Sequence, residues 1–89
     1  MSTIRRIRDA VRAGSYRFSD HALDEMDDDG LEETDVRHVL STGAVRMELT
    51  NDPRGVRYVV RGRGRLVKLG VVCRFLPSGL LRIITVYVP

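Results

Sequence analysis

From residue 44 onward, apolar residues recur at every second position, in runs broken by clusters of turn formers. This pattern constrains the fold more than any other feature of the chain. Val45, Met47 and Leu49 alternate with Arg46 and Glu48, then Asn51-Asp52-Pro53-Arg54-Gly55 interrupts with residues suited to a turn. Val56 to Arg61 forms a second run, Gly62-Arg63-Gly64 reads as a tight turn, and Arg65 to Phe75 reads as a long third strand. Pro77-Ser78-Gly79 turns the chain again, and Leu80 to Val88 makes a fourth strand. Connections this short join antiparallel neighbours, because a parallel pair needs a crossover of about a dozen residues or more. The spacing therefore predicts a four-stranded antiparallel meander. The last two strands are apolar on both faces (Val71 with Val72, Ile83 with Ile84), which makes them central or covered, whereas the first two carry charge on one face.

Before residue 44 the period is helical. Ile4, Ile7, Ala10 and Val11 share a face with Arg5, Arg6, Arg8 and Arg12 between them, Ser2 or Thr3 can cap, and Gly14 stops the run. Tyr16, Arg17 and Phe18 are extended or turn-like. Ser19 then suits the N-cap of a second helix running to about Asp29, closed by a left-handed Gly30, with Asp20 and Asp24 early in the helix where its dipole favours them. A third helix opens with Glu32 at its cap and Leu31 and Val36 in the positions of a hydrophobic staple; it buries Val36, Val39 and Leu40 and ends at Gly43. Helices first and strands last give an α+β fold, three short N-terminal helices packed on one face of the meander sheet. At 89 residues there is room for one core, so residues 1–89 are expected to form a single domain.

A hydrophobic fraction of 43% with 30% charged residues fits an ordinary globule. No apolar run approaches the roughly 18–20 residues that span a bilayer, and the first residues alternate charge with aliphatics instead of forming a signal-peptide core. A cytoplasmic protein with no membrane partner is the expectation. Cys73 stands alone in an apolar stretch, which excludes an internal disulfide and a multi-cysteine zinc site and suits a buried small hydrophobe.

The net charge of +3 conceals an uneven distribution. Nine acids and no Lys or Arg lie between Ser19 and Asp35, whereas Ala44 to Pro89 holds nine bases and only two acids, Glu48 and Asp52. A basic half suits a phosphate-rich partner such as RNA, since each neutralised phosphate releases a counterion. Arginines decorating the outer face of a sheet for solubility are the plainer alternative.

Two groups of residues carry possible chemistry. His21 precedes Asp24 and Glu25 on one helix face, so three readings stand: a metal ligand, an acid–base group, or a structural histidine in the first helical turn. Two ligands are too few for a metal, and nothing brings His38 to them. The second group is the arginines of the sheet. Arg57 and Arg61 share a face of the second strand, Arg63 and Arg65 follow, and Lys68 and Arg82 join them if the registers allow. Such a patch binds phosphates and stabilises the charge of a phosphoryl transition state. Tyr58 and Tyr87 add rings able to stack on bases, although Tyr58 faces away from Arg57 and Arg61 and suits the core better. The glycines of the Gly62-Arg63-Gly64 turn do not lead from a strand into a helix, so they are no nucleotide-binding fingerprint.

One longer succession spans most of the chain: Phe18-Ser19-x-His21-Ala22, Glu25-Met26, Asp29-Gly30-Leu31, Asp35-Val36, Val39-Leu40 and Gly43. It continues with Asp52-Pro53-Arg54-Gly55, Arg57-Tyr58-Val59-Val60 and the closing Ile84-Thr85-Val86-Tyr87-Val88-Pro89. In order and spacing it resembles the domain of unknown function numbered four-two-five-eight. That family is similar to the small RelE-like and BrnT-like toxins of bacterial toxin–antitoxin pairs. The resemblance implies a RelE/BrnT-toxin-like fold and a metal-independent ribonuclease with no cofactor, which cuts messenger RNA and is silenced by a small antitoxin protein covering its sheet. His21, Arg57, Tyr58, Thr85 and Tyr87 sit at matching positions. Many members carry arginine where this chain has Glu25 and Asp29, so the second helix here is acidic where theirs is basic.

The expectation is thus an RNA-cleaving or RNA-binding domain. Its candidate catalytic residues are His21, Arg57, Arg61, Arg82 and Tyr87, and its candidate RNA contacts are Arg57, Arg61, Arg63, Arg65 and Lys68. In it the ribose 2′-hydroxyl attacks the adjacent phosphate, His21 or a tyrosine moves the proton, and arginines stabilise the pentavalent phosphorus. The competing expectation is a non-catalytic module that binds a protein or RNA partner or forms a homodimer, and the acidic helix favours it. A metal-dependent enzyme comes third.

Overall fold

The computed structural model describes residues 2–89. Helix α1 (Thr3–Arg12) starts at Ser2, whose hydroxyl accepts the Arg5 N–H, and buries Ile7 and Val11. Helix α2 (Asp20–Asp28) starts at Ser19, whose hydroxyl accepts the Ala22 N–H at 3.1 Å, and buries Ala22 and Met26. Helix α3 (Glu33–Thr42) is capped at Glu32, whose backbone N–H is accepted by the Asp35 carboxylate at 2.9 Å; it buries Val36, Val39 and Leu40. Each cap satisfies an amide left over by the helix ladder, so the cap residues fix where the helices begin.

The sheet has five strands where four were expected, and it is mixed. Its strands are β1 (Tyr16–Phe18), β2 (Ala44–Leu49), β3 (Arg57–Arg63), β4 (Lys68–Phe75) and β5 (Leu81–Tyr87), in the spatial order β1-β5-β4-β3-β2. β2 to β5 form the expected antiparallel meander. The extra strand, β1, pairs in parallel with β5 through Tyr16↔Leu81, Arg17↔Arg82 and Phe18↔Ile83. The crossover that a parallel pair requires is supplied by everything from α2 to β4.

The turn expected at Gly62-Arg63-Gly64 lies further on. β3 continues to Arg63, the chain reverses between Gly64 and Val67, and β4 starts at Lys68 instead of Arg65. Gly62 is a glycine for a packing reason. The end of α3 presses on β3 there, and a Cβ on Gly62 would lie 2.9 Å from the Cα of Gly43.

All three helices serve one core, with α3 on β3 and β4, α2 on β5, and α1 on α3. The inward side chains include Val60, Leu69, Val71, Cys73, Leu81, Ile83 and Val86, each fully buried. A buried aliphatic of this kind contributes about 1.5–3 kcal/mol. Burial pushes the Cys73 thiol up to about 12, which keeps it protonated and inert. Among the described residues no helix packs on the opposite sheet face.

β5 is an interior strand. β1 covers its outer edge as far as Ile83, and α2 covers the rest: Ser19 Oγ donates to the Ile84 carbonyl at 2.8 Å, and Glu25 Oε1 accepts the Val86 N–H at 3.1 Å. One acid of the acidic helix is thereby a seal for a sheet edge. Among the described residues no helix is long and apolar enough to cross a membrane.

Candidate nucleic-acid interface

Strand alternation and register decide what stands on the helix-free face. Arg17, Arg82 and Arg74 lie abreast on β1, β5 and β4, and Arg57 extends the row on β3, one residue before the Tyr58↔Cys73 pair. The next row is Val59, Val72 and Thr85, with Met47 of β2 opposite Val59. Arg61, Gly70 and Tyr87 make a third row, and Arg63 with Lys68 a fourth. Same-face neighbours along a strand are about 6.6 Å apart, so the rows form a ladder of cationic, apolar, mixed and cationic steps.

Arg61 and Tyr87 are joined across β4. Arg61 Nε donates to Tyr87 Oη at 3.1 Å, and the guanidinium carbon lies 5.8 Å from the ring centroid. The contact is possible because the residue between them is Gly70. A Cβ there would overlap the Cζ–Oη edge of the Tyr87 phenol, so that edge lies on bare backbone. The phenol oxygen is occupied as an acceptor, which leaves its O–H free to donate elsewhere.

The Arg57 end of the face is partly neutralised. The loop between β2 and β3 folds over it and inserts Asp52, whose side chain is 7% exposed, among Arg54 (3.2 Å), Arg57 (3.5 Å) and Arg74 (3.4 Å). Hydrogen bonds from Arg54, with the charges of Arg54 and Arg57, hold the Asp52 carboxyl below the usual carboxylate range. The Arg63 end differs. Arg46, Arg61, Gly62, Arg63, Lys68, Leu69 and Pro89 line an open cleft of about 720 Å³ that no carboxylate side chain enters. Arg46 reaches it because β2 is bulged between Val45 and Met47.

The structure thus gathers Arg57, Arg61, Arg82 and Tyr87 on one face and adds Arg63 and Lys68 to it. Arg65 is engaged elsewhere: its backbone N–H and its Nε each donate to Asp35 Oδ1 at 2.9 Å, on the helix side of the hairpin. His21 is on α2, its side chain 68% exposed, with Nε2 3.4 Å from Glu25 Oε1. It forms no hydrogen bond with the four sheet residues. His38 is exposed on α3, and no group of three or more His, Cys, Asp or Glu able to hold a metal occurs among the described residues. Sequence reasoning missed Arg17, Arg74 and Arg46. The first two needed the β1 and β4 registers, and the third needed the bulge.

The model of a family described as domain of unknown function, DUF4258, matches residues 18–88. Neither a curated protein nor a solved structure matches the chain.

Proposed function

Taking as premise that the chain belongs to the DUF4258 family, we propose that it is a toxin-like ribonuclease that binds single-stranded RNA on the helix-free sheet face and cuts it without a metal ion. The observation that carries this reading is the Arg61–Tyr87 pair lying on Gly70, between a cationic row and a cationic cleft. Guanidiniums hold the phosphates, and a half-buried phenol ring beside them offers a surface for a base.

In the proposed reaction the ribose 2′-hydroxyl attacks the adjacent phosphorus and the bond from phosphorus to the 5′-oxygen breaks. The products are a 2′,3′-cyclic phosphate and a 5′-hydroxyl. Tyr87, with Arg61 bonded to its oxygen, gives its proton to the departing 5′-oxygen, and Arg61 then faces both the phenolate and the phosphate. Arg57 and Arg82 hold the flanking phosphate oxygens. A water molecule at the open face takes the 2′-hydroxyl proton; His21, on α2 with Nε2 3.4 Å from Glu25 Oε1, stands apart from the four residues of this face and has no part in the step. The antitoxin-like partner implied by the family resemblance would block this chemistry by covering the same face.

The test is incubation of purified protein with single-stranded RNA in excess chelator, alongside growth of cells expressing it. Cleavage and growth arrest are expected from the native chain and neither from Arg61→Ala. Intact RNA with normal growth, or an Arg61→Ala variant as active as the native chain, would refute the enzyme reading.

A second reading, a non-catalytic module that holds an acidic segment of a protein, is favoured by Asp52, since a carboxylate already sits among the arginines of this face. Recovery of a small co-encoded protein in a pull-down, with no nuclease activity after its removal, would support that reading instead.

A further inference from the structure

We propose that the cleft formed by Arg46, Arg61, Arg63 and Lys68 is a subsite for the terminal phosphate monoester of an RNA strand. The inference rests on the RNA reading above and names the substrate class of the same face: strands ending in phosphate, in preference to strands ending in a hydroxyl.

Three features lead to it. The first is an excess of cationic side chains. Four cations from three neighbouring strands line the cleft, no Asp or Glu lines it, and none of the four forms a salt bridge among the described residues. Other arginines of the C-terminal half, Arg54, Arg57, Arg65 and Arg74, each lie within 4.0 Å of a carboxylate. An internal phosphodiester carries a single negative charge, whereas a phosphate monoester carries about −1.5 to −2 at neutral pH and offers three terminal oxygens. Four cations without a salt bridge, Arg61 among them with its Nε given to Tyr87, match the monoester better than the diester.

The second feature is position. The face stops at this cleft. Beyond Arg63 and Lys68 the hairpin turns, with Gly64 N–H bonded to the Val67 carbonyl at 2.8 Å, and Arg65 folds back to Asp35 on the far side. A strand laid along the ladder of rows from Arg82 toward Lys68 has no further cationic step to occupy, so the group that reaches the cleft is its end. The third feature is space. A volume of about 720 Å³ is large enough for a phosphate with its terminal sugar and lies within the usual range of ligand pockets.

The experiment measures binding of three versions of one labelled oligoribonucleotide to the full chain at fixed salt: 5′-phosphorylated, 3′-phosphorylated and hydroxyl-ended. The label is placed internally and the 2′-hydroxyls are methylated to prevent cleavage. One phosphorylated version is expected to bind about tenfold more tightly than the hydroxyl-ended strand, the scale of one or two charge-assisted hydrogen bonds. Which version does so fixes the polarity of the strand. Arg46→Ala is expected to weaken the phosphorylated strand more than the hydroxyl-ended one, whereas Arg12→Ala, on α1, weakens them equally or not at all. Lys68→Ala, at an exposed strand position, is the second variant. Equal affinity for all three strands would overturn the terminal-phosphate subsite and leave RNA binding standing; no affinity for any of them would overturn both.

Discussion

The ring of Tyr87 occupies the space that a side chain on Gly70 would fill, and this contact sets its hydroxyl 3.1 Å from Arg61 Nε. Gly70 is therefore a positioning residue for the pair. Because the half-exposed ring can swing into solvent, Gly70→Ala is expected to cost less than about 1 kcal/mol in denaturant unfolding, with the strand preference for alanine over glycine offsetting part of the repacking. RNA cleavage is expected to fall as far as it does in Tyr87→Phe. A stable Gly70→Ala protein with native cleavage would show that the ring placement is irrelevant.

Asp35 gives a pH dependence with a definite sign. Its carboxylate accepts from Arg65 and from the backbone amides of Glu32 and Arg65; these bonds hold its pKa at about 2, below an ordinary 3.8. A depressed folded-state value stabilises the fold above the unfolded value, and that stability is lost as pH falls from about 4 toward 2. Because Arg65 is half-exposed and screened by solvent, the contribution at neutral pH is less than about 2 kcal/mol. Urea denaturation at pH 7 and pH 2.5 is expected to show a smaller difference in Asp35→Asn than in the native chain.

Asp52 competes with any polyanion for Arg57 and Arg74. Asp52→Asn is expected to tighten RNA binding and to steepen its salt dependence by about one phosphate contact, as cations held by the carboxylate become available. Unfolding is expected to become slightly easier, since the β2–β3 loop loses its tie to the sheet. Anisotropy titrations at three salt concentrations measure the slope; an unchanged slope would mean that these arginines do not meet the ligand.

Gly62→Ala should harm folding directly. Its Cβ would press on the Gly43 backbone, which is not the end of a flexible side chain. A loss of about 2–4 kcal/mol is expected from the overpacking and from displacement of α3 off β3. The corresponding change at Gly79, where open space surrounds the site and only the backbone angle (φ +91°) resists, is expected to cost less.

What was legible in the sequence was local. Ser2, Ser19 and the Glu32–Asp35 turn announce the helix starts through capping chemistry, and period-two alternation announces the meander. What was missed depended on long-range pairing. Tyr16–Phe18 is too short to show a period, so β1 became a strand only through its partner β5. Gly62 resembles a turn glycine until the end of α3 is seen against it. Arg65 lies in the same Gly-Arg-Gly-Arg run as Arg63, yet one faces the cleft and the other is tied to Asp35, a distinction made by the 64–67 turn. Glu25 stands in the sequence only as a neighbour of His21 on an acidic helix, and its role at the β5 edge needed the Val86 amide. Of the site, the sequence showed which cations were present but not which were already neutralised.

The most direct test is mass spectrometry of the ends of RNA fragments produced by the native chain and by Arg61→Ala and Tyr87→Phe, all in excess chelator. The expected result is fragments with 2′,3′-cyclic phosphate and 5′-hydroxyl ends from the native chain, reduced by about 100-fold or more when either member of the pair is altered. Intact RNA from the native chain, or the same fragments at the same rate from both variants, would contradict a catalytic Arg61–Tyr87 pair.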